Sequence, residues 1–139
     1  MKHRTPPKPL HFDSAPKGTC RWCNGDIFKK NGDKNTRANW HPNCVQEYKL
    51  IYWPNVTRRA VFKRDKGICK KCGHQCAKKH KDVWHLDHIK PLVESQGDLS
   101  FWKMENLQTL CQPCHKAKTS AEATARAHAR KLKNNGGQD

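Results

Sequence analysis

The sequence predicts a small α+β protein stabilised by zinc, and three observations carry that expectation. Six of the eight cysteines fall in CxxC pairs, Cys20/Cys23, Cys69/Cys72 and Cys111/Cys114. That is the spacing of a metal knuckle rather than of a disulfide framework. Only 35% of the 139 residues are hydrophobic and 29% are charged, so apolar burial alone offers little against the entropy of ordering the chain. Helix-like and strand-like stretches are interleaved, each too short to stand alone.

The charge narrows the partner. Lys and Arg number 28 against 12 Asp and Glu, a formal net charge of +16. A surface that is only solubilising mixes both signs and keeps its net charge in single digits. An excess of this size points to a polyanion, and nucleic acid is the natural one. The opening "MKHRTPPKPL" has no apolar leader, and no run is long enough to span a membrane. The expectation is a cytoplasmic protein in a reducing compartment, with no membrane partner.

Residues 1–17, rich in Pro, Lys and His, read as a flexible basic arm. Residues 18–54 read as a CCHC-type zinc-binding module. "CRWCNGDIFKKNGDKNTRANWHPNC" has the spacing C-x2-C-x17-H-x2-C and offers Cys20, Cys23, His41 and Cys44 as a tetrahedral set. The glycine of "CNG" is expected to turn backbone amides toward thiolate sulfur. "FKKNGDK" reads as a hairpin turning at Asn31-Gly32; it either grips nucleic acid or caps the rest of the protein. "CVQEYKLIYW" is a short helix stopped by Pro54.

Residues 55–133 read as the second domain and 134–139 as a disordered tail. "NVTRRAVFKRDKG" is a helix with an apolar stripe of Val56, Ala60, Val61 and Phe62, closed by Gly67. From Lys63 to Lys81 the chain carries eight Lys or Arg and one acid. The candidate phosphate contacts are Arg58, Arg59, Lys63, Lys70, Lys71, Lys116 and Lys118. The last helix opens at "CQPCHKAKTS", with Pro113 in its first turn. Cys69, Cys72, Cys111 and Cys114 form the second, all-cysteine zinc set. Cys76 is left over and reads as an unligated thiol.

Within that frame "VWHLDHI" and "NLQTL" (106–110) form a hairpin lying across the last helix. Asp87 and His115 then converge on one divalent cation, and His88 stands beside it as the imidazole that takes a proton from water. One imidazole and one carboxylate accept several ions, so Mg2+ or Mn2+ fits. The two four-ligand zincs have no open position and are structural. His85 lies on the strand face of Asp87 and reads either as a metal or phosphate contact or as a surface histidine.

"LDHIKPL…ENLQTLCQPCHKAKT" resembles the HNH endonuclease family, and "RRAVFKRDKGICKKCG" resembles the lead-in of its phage-type members. The resemblance spans about residues 58–120. It implies a ββα-metal, treble-clef-like core behind the N-terminal module. It also implies Asp87 and His115 as metal ligands, His88 as general base, and Asn106 as the residue that aims His88. Some relatives carry a second metal-binding histidine one turn along the helix, where this chain has Thr119. The N-terminal zinc module lies outside the common core. The expected function is metal-dependent DNA hydrolysis to 5′-phosphate and 3′-hydroxyl ends, most naturally on double-stranded DNA, in bacterial or phage-infected cytosol. A homodimer, or a phage or mobile-element partner protein, stays open. The competing readings are a catalytically silent zinc-stapled nucleic-acid-binding module and an RNA-directed nuclease.

Overall fold

The structure, a computed structural model, describes residues 5–76 and 83–136. The first residues of the arm, residues 77–82 of the basic run and the end of the tail lie outside the described residues. The elements run α1 (Pro42–Tyr52), α2 (Pro54–Asp65), β1 (Trp84–His88), β2 (Leu107–Cys111) and α3 (Gln112–Asn135). Between the strands lie single 3-10 turns at Leu92–Glu94, Leu99–Trp102 and Met104–Asn106. No helix is long and apolar enough to cross a membrane among the described residues.

Proline sets the helix boundaries. Pro42 and Pro113 sit in the first turns of α1 and α3, where a missing N–H leaves no bond unmade. Pro54 ends α1 and opens α2, leaving Trp53 as the single residue between them. The Thr57 hydroxyl braces that bend by donating to the carbonyls of Leu50 (2.6 Å) and Trp53 (3.1 Å). Along α2 the less exposed positions are the predicted stripe of Val56, Ala60, Val61 and Phe62, together with Thr57 and Asp65.

β1 and β2 form a two-stranded sheet. Ile89 N–H donates to Asn106 O (2.8 Å) where the connection leaves β1 and enters β2. Bonding at that end makes the pair an antiparallel hairpin.

The chain divides into two compact units: the stretch up to Val61 with His88–Leu107, and Phe62–Asp87 with the stretch from Gln108 on. The first unit therefore contains both the N-terminal module and the connection between the strands. Its core is Phe12, Cys20, Trp22, Ile27, Ile51 and Trp102, with Tyr48, Leu92, Leu99 and Phe101 packed against it. Phe12 falls in the stretch read as a flexible arm, yet it is only 5% exposed and stacks on Tyr48 (centroids 5.7 Å). Packed structure thus begins before residue 18, because a lone phenylalanine among prolines finds an aromatic cluster to bury in. The second unit has a smaller core of Cys69, Cys76, Leu110 and Cys111, flanked by Trp84 and Cys114.

Each unit repeats one local plan. Gly18 and Gly67 both have positive φ (89° and 69°). Cys20 N–H donates to Gly25 O and Cys69 N–H to His74 O, both at 2.8 Å. Ile27 N–H reaches Gly18 O (3.0 Å) as Cys76 N–H reaches Gly67 O (2.8 Å). The segment entering the helix is anchored alike, Arg21 N–H to Asn39 O and Lys70 N–H to Thr109 O, both 2.9 Å. His41 and Cys111 then cap α1 and α3. Cys76 takes the place that Ile27 holds in the first unit and is 3% exposed, a small apolar filler outside the quartet.

The repeat corrects one expectation. The left-handed residue after the first knuckle is Asn24 (φ 63°), as Gly73 (φ 78°) is after the second; Gly25 is not left-handed. Asparagine tolerates that conformation. Gly25 serves close approach instead, since a Cβ there would lie 3.3 Å from Cys23 Sγ. The predicted hairpin is present: Phe28 pairs with Lys34, Lys29 N–H donates to Asp33 O (2.8 Å), and Gly32 takes φ 91° at the turn.

Candidate active site and metal centres

Both predicted quartets converge. The ligand atoms of Cys20, Cys23, His41 and Cys44 all lie within 4.8 Å of one another, as do those of Cys69, Cys72, Cys111 and Cys114. His41 Nδ1 is 3.3 Å from Cys23 Sγ and 3.7 Å from Cys44 Sγ. Cys72 and Cys111 sulfurs are 3.6 Å apart. The edges of a tetrahedron with metal–sulfur bonds of about 2.3 Å are roughly 3.8 Å, so both sets have the dimensions of a four-coordinate metal site. His41 is oriented for it, because its other ring nitrogen contacts Asp26 O at 2.9 Å and leaves Nδ1 for the metal.

The knuckle backbone favours thiolate. Burial pushes the Cys20 thiol up, but the amides of Cys23, His41 and Trp22 and the Cys44 thiol outweigh it and bring its pKa to about 6. Burial likewise opposes ionisation of Cys69, and the amides of Cys72, Cys111 and Lys71 again lower it to about 6. Amides aimed at sulfur are what the repeated left-handed turn provides.

A third group gathers in the second unit around Asp87, which is 7% exposed. Asp87 Oδ2 accepts from Gln108 Nε2 on β2 (2.8 Å) and pairs with Lys118 Nζ on α3 (3.2 Å). Lys118 is also paired with Glu122 one turn on. Burial works against the charge on Lys118, yet Glu122 and Asp87 hold its pKa above the ordinary lysine value. Asp87 Oδ1 points to His115 Nε2 at 4.0 Å. Two atoms bound to one ion at about 2.1 Å lie no more than about 4.2 Å apart, so the Oδ1–Nε2 separation is at the wide end of what one divalent cation could bridge. The His115 ring is stacked on His85, centroids 4.3 Å apart and 6° from parallel. His85 thus supports the ring of a candidate ligand.

In the first unit, Asn106 ties the ends of the connection together. Its Oδ1 accepts from Lys90 N–H (2.8 Å), and its Nδ2 donates to the carbonyls of Lys90 (3.1 Å) and Phe101 (2.8 Å). His88, half-buried, is the last residue of β1 and the covalent neighbour of Asp87. Of the candidate phosphate contacts, Arg58, Arg59, Lys63, Lys70, Lys71 and Lys116 are exposed, whereas Lys118 is half-buried on Asp87. Sequence reasoning missed Gln108 and the part Lys118 plays. The available signals were that antiparallel pairing of "VWHLDHI" with "NLQTL" can set Gln108 against Asp87, and that Lys118 lies three residues from His115 on one helix face.

Residues 69–121 match the family model described as HNH endonuclease. Over 97 residues the chain is 40% identical to a "Probable HNH endonuclease" of Lactococcus phage SK1, covering 67% of this chain and 88% of that protein. The chain belongs to the HNH endonuclease family. Shorter matches link this HNH chain to the "DNA annealing helicase and endonuclease ZRANB3" of Mus musculus, 45% identical over 49 residues, and of Bos taurus, 41% identical over 58 residues. These cover 35% and 40% of this chain but only 4% and 5% of those proteins. No solved structure was found to match. The matched segment contains Asp87, His88, Asn106, His115 and the all-cysteine quartet.

Proposed function

We propose that this HNH endonuclease is a metal-dependent DNA hydrolase with His88 as general base and a ββα-metal core formed by β1, β2 and α3. The observation that carries the reading is the Asp87 arrangement. One carboxylate oxygen is engaged by Gln108 and Lys118, and the other is left toward His115. A carboxylate with one oxygen held and the other turned toward an imidazole is placed as a metal ligand would be. A divalent cation held by Asp87 Oδ1 and His115, Mg2+ or Mn2+, would offset charge on a nonbridging phosphate oxygen and on the leaving 3′-oxygen.

The remaining steps belong to the protein. His88, as a neutral imidazole, takes a proton from the attacking water. Asn106 fixes the backbone that follows His88 through its bonds to Lys90, and so limits where the imidazole sits. The stack with His85 restrains rotation of the His115 ring. Exposed Arg58, Arg59, Lys63, Lys70, Lys71 and Lys116 neutralise flanking phosphates. Attack in this sense leaves 5′-phosphate and 3′-hydroxyl ends. Both quartets hold structural zinc, because four protein ligands leave no position for substrate. Double-stranded DNA is the preferred polymer, in keeping with the "DNA" in the printed names of the ZRANB3 relatives.

Incubating supercoiled plasmid with the protein and Mg2+, or with EDTA, tests this reading. Nicked or linear product with Mg2+ alone is expected; equal cleavage in EDTA would overturn metal dependence. An RNA of matched length cut faster than the plasmid would overturn the choice of DNA.

A further inference from the structure

The segment that carries His88 and Asn106 has little regular structure of its own. Between its ends lie single 3-10 turns, and turns of that length are weak in isolation. Its ends are clamped by Ile89 N–H to Asn106 O and by the Asn106 side chain. Its middle is held from elsewhere. Trp102 is 8% exposed and lies in one cluster with Phe12, Cys20, Trp22, Ile27 and Ile51 of the N-terminal module, with Leu92, Leu99 and Phe101 packed alongside.

A polar link reinforces that packing. Trp22 stands between Cys20 and Cys23 of the knuckle, and its indole N–H donates to Glu47 Oε2 on α1 (3.0 Å). The other oxygen of the same carboxylate takes Lys103 Nζ at 3.5 Å. Both Glu47 and Lys103 are partly exposed, so this link fixes orientation more than it stabilises. The step from Trp102 to the catalytic end is short. Phe101 O, on the adjacent residue, accepts from Asn106 Nδ2 at 2.8 Å.

We infer that the N-terminal Cys20/Cys23/His41/Cys44 module is the internal scaffold that sets the geometry of residues 88–107, with Trp102 as the positioning residue that couples it to Asn106 and His88. This rests on the reading of His88 and Asn106 as catalytic groups. It replaces both a detachable DNA-gripping finger and an inert cap with a module on which catalysis depends through packing. Removing its support moves reacting groups without touching substrate contacts.

The test is Trp102→Ala in the full-length protein, with Trp102→Phe as the conservative variant. For Trp102→Ala we expect kcat on plasmid to fall about 100-fold, the cost of an ångström-scale misplacement, with KM within about twofold. Amide exchange should accelerate within residues 88–107 and stay unchanged at the Cys69 and Cys72 knuckle. Metal content should be unchanged, and Trp102→Phe should recover most of kcat. Wild-type exchange in 88–107, or a loss carried by KM, would overturn the inference. If Trp102→Ala does not fold, Leu99→Ala, a smaller truncation of the same packing, replaces it. With that variant kcat and exchange must shift together, and either shifting alone overturns the inference. The exchange readout does not depend on what His88 does. An active His88→Ala enzyme would remove the base assignment and leave the scaffold standing.

Discussion

A carboxylate that must offer one oxygen to a cation works best with its other oxygen fixed, and Asp87 meets that condition through Gln108 and Lys118. Partners of this kind orient a ligand, and losing one typically costs 10–100-fold in metal affinity. Gln108→Ala should therefore raise the Mg2+ concentration for half-maximal cleavage by about that factor, with kcat at saturating Mg2+ close to wild type. A metal titration of initial rates measures both quantities, and an unchanged midpoint would mean Gln108 does not orient Asp87. His88→Ala should behave differently. Loss of a general base costs about 10²–10⁴-fold in rate, and it should do so at every Mg2+ concentration while zinc content and DNA affinity stay unchanged. Activity within a few fold of wild type would remove His88 from the mechanism.

At the scale of elements, α2 is joined to β2 by one buried carboxylate. Asp65, at the end of α2, accepts from Thr109 N–H (2.9 Å) and pairs with Arg64 (2.9 Å). Burial opposes its ionisation, but the Arg64 guanidinium and the Thr109 contacts prevail and hold its pKa below the usual carboxylate value. A depressed carboxylate contributes stability that is complete above its unfolded value, near 4, and is lost only as pH falls through the lower folded value. Asp65→Asn should cost about 1–3 kcal/mol, and the deficit in melting temperature should be constant between pH 6 and pH 8. A deficit that shrinks across that range would assign the group a raised pKa instead. The elements themselves were legible in the sequence wherever their cause was local. CxxC spacing, Asn31-Gly32, Pro54 and the stripe on α2 each act within a few residues. The docking of Trp102 beside Trp22 and Ile51 was not legible, because nothing near residue 102 encodes which distant apolar cluster will receive it. The exchange of left-handed duty from Gly25 to Asn24 escaped for a related reason: both residues tolerate the turn, and only the closeness of Cys23 Sγ decides between them.

For the whole molecule, the net charge of +16 and the exposed cations make DNA affinity a counterion-release problem. Each neutralised phosphate contributes about −0.9 to the slope of log K against log salt on duplex DNA. The cations differ in what they do, and that difference is testable. Lys70 and Lys71 are exposed within the second knuckle, and their side chains are not metal ligands. Replacing both with Gln should flatten the slope by about 1.8 and weaken binding equally for unrelated DNA sequences, with kcat little changed. Lys118 is partly buried between Asp87 and Glu122. Lys118→Met should leave the slope unchanged and alter the Mg2+ dependence of cleavage instead. Salt titrations of binding, done in EDTA to prevent cutting, measure the slopes; plasmid kinetics measure the rest. A slope that flattens with Lys118→Met and not with Lys70→Gln/Lys71→Gln would reverse the assignment, placing Lys118 on phosphate and leaving the basic knuckle without a role in binding.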